Sequence, residues 1–525
     1  MQADSRNSVH SGEIGRNGET EKRRENKLTV SPIRPFPESS GLIDTHCHLE
    51  MDEFNPDRDE VIKRAKDAGI EAIITIGSDL KGNIGGLELS KKYDFIYSSV
   101  GFHPHEAKDF TEDIFNKIKE WTTSSLPPLD KATSSCTSLD KDTPPQLPPL
   151  LRGGWGGKVV AIGEVGLDYH YDNSPREIQK DVFMRQIQYA KEIGLPVIIH
   201  SREAKRDTLE IIKESGINKG VLHCFSGDID MAERAMAMGF YISIAGPVTF
   251  KNARKPKEIA KMIPDDYLLI ETDAPYLTPE PFRGRRNEPS YIVHTAKAIA
   301  ELRGITLEDL SRITTINAKR LFKIGQMPEK GEIVYKIRDN LYLNITNRCT
   351  NECSFCIRFH SDYVKGHNLR LSEEPTEEEL KDAIGDPSQY REVVFCGYGE
   401  PLLRIDLVKS VAAWIKQNKG RVRINTNGHG NLIHGRNILP ELKGIVDSIS
   451  ISLDAHDEET YNKICRPSFK NAYSEILFFI KEAKKFIFNV QVTVVTHEGV
   501  DVEKCRKIAE DLGVGFRVRE LDIVG

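Results

Sequence analysis

LIDTHCH, residues 42–48, decides how the first half of the chain is read: an apolar strand whose last residues include two histidines, His46 and His48. The same plan recurs seven times. AIITIG (72–77), IYSSVGF (96–102), VVAIGEV (159–165), PVIIH (196–200), VLHCF (221–225), FYISIA (240–245) and YLLIETD (267–273) are short apolar runs separated by amphipathic stretches of helix length. Strands spaced by helices imply parallel pairing with right-handed crossovers, and eight such units predict a (β/α)8-type TIM barrel over about residues 41–326.

Downstream of QMPEKGE (326–332) a second series begins: YLNIT (342–346), VVFCGYG (393–399), RVRINTNG (421–428), SISISLD (448–454), VQVTVVT (490–496) and FRVREL (516–521). Six strands predict a (β/α)6 partial barrel over 336–525, with 327–335 as the linker. Two α/β domains suit a chain of 525 residues, which is longer than one core usually reaches. Residues 1–40, poor in large apolar side chains, are expected to be a disordered extension. Residues 122–157, where LPPL occurs twice among Pro, Ser and Gly, read as a low-complexity surface insertion.

A formal net charge of −6 excludes a basic surface along the whole chain, so nucleic-acid contact would have to come from local basic clusters. No apolar run is long enough to span a bilayer, and the N-terminus lacks an apolar signal segment, so the expectation is a cytoplasmic protein without membrane contact, with a monomer as the working assumption. Of nine cysteines, three (Cys349, Cys353, Cys356) fall within eight residues, which suits a metal cluster in a reducing compartment better than a disulfide framework.

In the first barrel the polar residues fall at strand ends: His46 and His48, Glu164, His200, His223 and Asp273. The C-terminal strand ends of such a barrel form one rim, where these residues would converge. Imidazole suits zinc, iron and manganese, and a central carboxylate can bridge two ions, an arrangement that serves metal-assisted hydrolysis. His103 and His105 in GFHPH lie on the same rim, as candidates for contact with a scissile phosphate. Arg283, Arg285 and Arg286 follow Asp273 closely and are candidates for holding phosphates. Cys47 and Cys224 alternate with candidate ligands and read as packing residues.

IDTHCHL, GFHPH, AIGEVGLDYH, PVIIHSRE, LHCFSG, LLIETDAPYL and PFRGRRNEP together resemble the TatD family of metal-dependent deoxyribonucleases, over nearly all of 41–326 apart from the insertion. The resemblance implies an amidohydrolase-like barrel with two divalent ions (Mg, Mn or Zn). His46, His48 and Asp273 would hold one ion, His200 and His223 the other, and Glu164 would bridge them. It implies phosphodiester cleavage in DNA, from the 3′ end as the common case, with Glu164, Asp273 and His103 in catalytic roles and His105, Arg283 and Arg285 binding substrate. Some members act on other esters, including mischarged transfer RNA.

In the second barrel NITNRCTNECSFCIRF spaces three cysteines as C-x3-C-x2-C directly after a strand. Three thiolates on one loop can hold a cubane with one iron left open, whereas structural zinc wants a fourth ligand and only His360 is near. This spacing, with Phe355 before the third cysteine, resembles the radical S-adenosylmethionine superfamily. GYGEP (397–401) is similar to that superfamily's Gly-Gly-Glu-Pro element: Gly399, Glu400 and Pro401 match, and Tyr398 replaces the first glycine. The resemblance implies a 4Fe–4S cluster on Cys349, Cys353 and Cys356, and S-adenosylmethionine held near Phe355, Gly397, Gly399, Glu400, Asn425, Asn427, Ser452 and Asp454. It further implies an external one-electron reductant and a 5′-deoxyadenosyl radical acting on a substrate that the sequence does not name. Cys396, Cys465 and Cys505 look too scattered for a second cluster. The function expected is bifunctional: a nuclease acting on DNA or another nucleic acid, and a radical enzyme. The rivals are a hydrolase of another ester such as aminoacyl-RNA, and an iron–sulfur domain that only senses or binds.

Overall fold

The computed structural model describes residues 41–123 and 158–519. The N-terminal extension of 1–40 lies outside the described residues, as does the insertion from residue 124 onward; helix Glu112–Thr123 takes up its first two positions.

Eight parallel strands follow in chain order: β1 (Leu42–Cys47), β2 (Ile70–Thr75), β3 (Ile96–Val100), β4 (Val159–Asp168), β5 (Val197–Arg202), β6 (Gly220–Leu222), β7 (Phe240–Ile244) and β8 (Leu268–Ile270). Each pairs with the next, and a parallel bridge from Cys47 to Ala274, past the end of β8, brings the first and last strands together at the rim. All residues of β1 and β4 are buried, as expected of strands covered on both faces. Helix Leu307–Phe322 sets Ala318, Leu321 and Phe322 in one apolar cluster with Ile43, Ile74, Ile198, Val221 and Leu269. A buried Phe of this kind stabilises by about 1.5–3 kcal/mol relative to exposure. Apolar packing therefore fills the barrel, and the polar residues collect beyond the C-terminal strand ends.

The second sheet contains the six expected parallel strands and one more. β9 (Val334–Ile337) runs antiparallel to β10 (Asn340–Leu343), and it takes up residues that the sequence reading divides between linker and domain. A small hairpin, β11 (Tyr363–Val364) and β12 (His367–Asn368), follows the cysteine loop. β13 (Glu392–Phe395), β14 (Val422–Thr426), β15 (Ser448–Ser452), β16 (Asn489–Val495) and β17 (Gly515–Arg519) complete the order β17-β16-β15-β14-β13-β10-β9. Leu341, Phe395, Ile424, Ile449 and Val492 join the helices Ile405–Gln417 and Ala472–Ala483 in one core.

The β11–β12 hairpin docks on the first barrel. Lys365 Nζ lies 2.6 Å from Asp265 Oδ2, Arg312 Nε donates to Lys365 O at 3.0 Å, and Arg320 Nη2 donates to Ser361 Oγ at 3.0 Å. Asp265 and Asp266 immediately precede β8, so the contact is at the N-terminal end of the first barrel, opposite its rim. Among the described residues no helix is long and apolar enough to cross a membrane.

Candidate active sites

At the rim of the first barrel six predicted residues come together around Glu164. One oxygen of its carboxylate, Oε2, lies 3.4 Å from His46 Nε2 and 3.7 Å from His48 Nε2; both imidazoles are also within 3.6–3.7 Å of Asp273 Oδ1. The other oxygen, Oε1, lies 2.8 Å from His223 Nε2, 3.0 Å from His200 Nδ1 and 3.4 Å from His103 Nε2. One carboxylate thus faces two separate groups of donors. Burial opposes the charge on Glu164, but His223 and His103 hold its carboxyl well below the usual carboxylate range. His103 is different: burial pushes its imidazole down to about 4, so it is neutral at pH 7.

A second layer, which the sequence reading did not name, orients these imidazoles. Asp168 Oδ2 lies 3.0 Å from both His200 Nε2 and His105 Nε2, Glu271 Oε1 is 3.3 Å from His223 Nδ1, and Glu50 Oε1 is 3.4 Å from His48 Nδ1. A carboxylate behind a histidine fixes its ring and raises its basicity, the usual support of a metal ligand. Asp44 ties β1 to the loop after β8, accepting from Thr272 N at 2.9 Å and Thr272 Oγ1 at 2.6 Å. The only signal for this layer in the sequence is acids close to ligands: Glu50 after His48, Asp168 after Glu164, Glu271 before Asp273. Gly166 is needed on β4, since at φ +134° a Cβ there would lie 2.0 Å from His200 O.

The donor set fits a metal pair. His46, His48 and Asp273 offer atoms within 4.8 Å of one another, and so do His46, Glu164 and His223, and His103, Glu164 and His200. His46 Nδ1 is buried and has no hydrogen-bond partner among the described residues. His105 is therefore a holder of Asp168 rather than part of the central group. The three arginines divide: Arg286 is engaged by Asp57 and by Glu53 O, at 2.8 and 2.6 Å, whereas Arg283 and Arg285 are exposed, with Arg283 over the Phe250 ring at 4.2 Å. Tyr276, half exposed, stands edge-on to His48 at the mouth. Cys47 is buried, its thiol 3.7 Å from Ala274 O, as a packing residue should be.

In the second barrel the loop after β10 carries Cys349, Cys353 and Cys356, all partly exposed. Arg358 reaches back over them: its Nε is 3.5 Å from Cys356 Sγ, and its Nη2 and Nη1 donate to Asn351 O and Asn347 O. Burial opposes the Arg358 charge, but the Cys356, Cys349 and Cys353 sulfurs around it raise its pKa. A guanidinium among three thiols suits a thiolate-held cluster of negative charge. Cys465, one of three cysteines too scattered in sequence to suggest a second cluster, is a neighbour of this loop: Ser354 N donates to Ile464 O at 2.9 Å, and hydrogen bonding with Cys353, with burial, raises the Cys465 thiol strongly.

The GYGEP turn explains its own departure from the superfamily pattern. A Cβ on Gly399 would lie 2.2 Å from Arg348 O and 2.6 Å from Thr346 O, so the turn packs backbone to backbone on the cysteine loop. Tyr398 is buried and its hydroxyl lies 3.1–3.3 Å from Arg358 O, Ser361 O and Asp362 Oδ1, holding the segment that follows the cysteines. Glu400 accepts from Leu402 N, Thr426 Oγ1 and Asn427 N at 2.7–2.9 Å, so its carboxylate joins the ends of β13 and β14; burial pushes it up to about 7. Asn427 Nδ2 lies 3.8 Å from Cys349 Sγ and 2.8 Å from Thr350 Oγ1. Asn425 accepts from Arg423, Ser452 lies near Thr493, and Asp454 accepts from Val495 N. Phe355 packs beside His497, with ring centroids 5.7 Å apart.

Comparison with known proteins fits both halves. The profile of the family described as TatD related DNase matches residues 43–129 and 148–323, and that of the Radical SAM superfamily matches 343–512. The uncharacterized metal-dependent hydrolase YabD of Bacillus subtilis (strain 168) is 47% identical over 286 residues, which is 54% of this chain and 100% of that protein. Deoxyribonuclease TATDN3 of Homo sapiens is 34% identical over 291 residues, 54% of this chain and 94% of that protein. The crystal structure of YJJV, a TatD homologue from Escherichia coli K12, covers 54% of this chain and 98% of its own at 27% identity, with a TM-score of 0.46.

Proposed function

Because the chain belongs to the TatD-related DNase family of metal-dependent hydrolases, with a radical S-adenosylmethionine domain following, we propose that its first barrel hydrolyses phosphodiester bonds in DNA and its second carries out radical chemistry. The observation that carries the first half is Glu164, whose two oxygens face two separate groups of donors. In this reading His46, His48 and Asp273 would hold one divalent ion and His200 and His223 the other, with Glu164 as a ligand available to each. Such a pair supplies Lewis-acid polarisation of the phosphoryl group and activation of water.

The chain's own residues do the rest. Asp273, at the mouth, accepts the proton of the attacking water, and burial lets neutral His103 hydrogen-bond a phosphate oxygen. Exposed Arg283 and Arg285 meet the neighbouring phosphates, which favours a polyanion over a small ester. Removal of nucleotides from the 3′ end is the mode we assign, and the deoxyribonuclease name of TATDN3 supports DNA as the polymer.

For the second barrel we assign a 4Fe–4S cluster to Cys349, Cys353 and Cys356, reduced by an external one-electron donor. With S-adenosylmethionine the cluster supplies reductive cleavage of the sulfonium C–S bond. Tyr398 and Gly399 hold the loop, Glu400 sets the strand ends, and Asn427, Ser452 and Asp454 line the place for the cofactor's polar groups. All eight described cysteines are free, which supports a reducing cytoplasm.

The test is metal-loaded protein assayed on 3′-labelled single-stranded DNA and on aminoacyl-RNA, beside Glu164→Gln. Release of mononucleotides by wild type, lost by about 10²-fold or more in the variant, is expected. Faster turnover of aminoacyl-RNA would replace the nuclease reading.

A further inference from the structure

Each strand of the second barrel gives one face to the helical core and the other to the lumen. Val422 and Ile424, Ile449 and Ile451, Val490 and Val492 pack into the core, so the alternate residues of β14–β16 face inward. Apart from Val495, those inward positions are polar. On β17, Phe516 packs toward the core, which leaves Arg517 and Arg519 on the lumen side. Arg519 confirms that direction, its Nη2 lying 3.3 Å from Ser452 Oγ and 3.6 Å from Asp454 Oδ1.

The lumen is incompletely satisfied. Arg423 is matched by Glu392, at 3.0 Å, and Arg519 by Asp454, but Arg517 has no hydrogen bond or ion pair among the described residues. The side chain of Gln491 has none either, and Ser448 Oγ is buried without a partner. On β10, Leu341 and Leu343 pack into the core, so Tyr342 faces inward by the same alternation; it stacks on Tyr335 with ring centroids 5.2 Å apart, next to Tyr398. Two exposed guanidinium groups on β17, an uncommitted amide on the neighbouring β16 and an inward-facing tyrosine on β10 match a small molecule that has a phosphate at one end and a hydrogen-bonding aromatic base at the other.

We propose that this lumen binds a nucleoside monophosphate, its phosphate on Arg517 and Arg519 and its base between Gln491 and Tyr342. The proposal rests on the radical-enzyme reading of the second barrel. The class of reaction that supplies such a ligand is phosphodiester hydrolysis, the chemistry assigned to the first barrel.

The experiment is equilibrium dialysis of full-length, anaerobically reconstituted protein carrying Glu164→Gln, with every comparison made in that background so that nucleotide held at the first barrel is common to all samples. The probes are the four radiolabelled 2′-deoxynucleoside 5′-monophosphates and the four uncharged deoxynucleosides, with S-adenosylmethionine present. At least one monophosphate is expected to bind at least tenfold more tightly than its nucleoside. Arg517→Ala should weaken it at least tenfold and Arg517→Lys less, with iron content and S-adenosylmethionine binding unchanged in both. Equal binding of nucleotide and nucleoside, no binding of any monophosphate, or binding indifferent to Arg517→Ala overturns the proposal. Release of 5′-deoxyadenosine on reduction, measured on the same samples, reports separately on the radical reading beneath it.

Discussion

At Asp168 a single carboxylate oxygen meets two imidazoles, His200 and His105, each at 3.0 Å, while the other oxygen accepts from the backbone N–H groups of His170 and Tyr171. It touches no proposed ion, yet it fixes which nitrogen His200 turns toward Glu164. Asp168→Asn should therefore weaken metal binding by about 10–100-fold while turnover at saturating metal changes little. The midpoint of metal activation measures this, and an unshifted midpoint would remove Asp168 from the metal site. The contrast with Glu164 shows what is legible at this scale. His46, Glu164, His200, His223 and Asp273 stand at strand ends, a pattern that a linear sequence displays. Asp168, Glu271 and Glu50 are distinguished only by burial and by the imidazole behind which they lie, and both are properties of the folded chain. Arg286 illustrates the reverse: it stands beside two exposed arginines in sequence, but Asp57 engages it and makes it a brace.

Among the elements, the turn after β13 governs the cysteine loop. Its contact is backbone on backbone, so Gly399→Ala must push the loop away from Arg348 O and Thr346 O, at a cost of about 1–3 kcal/mol. The expected result is loss of most iron incorporation, followed by absorbance and iron analysis, with hydrolysis by the first barrel intact. Full iron content in this variant would show that the turn does not set the loop. All fourteen barrel strands expected from apolar runs are present, because β-rich runs between helix-length segments leave few other pairings. β9 was not legible: VYKI is short, carries a lysine and alternates, as an edge strand does, and it is recognisable only once the turn at Arg338 (φ 54°) folds it back on β10. The β11–β12 hairpin, of two-residue strands, falls below any periodic signal.

Across the whole molecule, the metal-type cluster and the cysteine loop belong to opposite ends of the first barrel. The clustered ligands crown its C-terminal rim, whereas residues 361–366, just beyond the cysteines, touch its base through Asp265, Arg312 and Arg320. A cleft of about 560 Å³ along this seam, lined in part by Lys219, Tyr241, Arg320 and His360, lies on the base side too. Among the described residues the clustered ligands and the seam therefore lie at opposite ends of the first barrel. No motif announces this arrangement, since it depends on contacts between residues 41 to 100 positions apart. Lys365 is its most specific link, and the pair with Asp265 is part-exposed, worth no more than about 1 kcal/mol. Lys365→Glu sets like charges together, and calorimetry should then show two separated unfolding transitions where the wild type shows closer ones, with DNA hydrolysis retained. Coincident transitions in both proteins would mean that the hairpin does not hold the barrels together.

The central claim is that one chain carries two independent chemistries, and a single crossed assay addresses it. Wild type, Glu164→Gln and Cys353→Ala are each loaded with metal, reconstituted anaerobically with iron and sulfide, and scored in one reaction for mononucleotide release from DNA and, after reduction with S-adenosylmethionine, for 5′-deoxyadenosine. The account predicts both products from wild type, only 5′-deoxyadenosine from Glu164→Gln and only mononucleotides from Cys353→Ala. Loss of both products in either single variant, or absence of 5′-deoxyadenosine from wild type with an intact cluster, would contradict it.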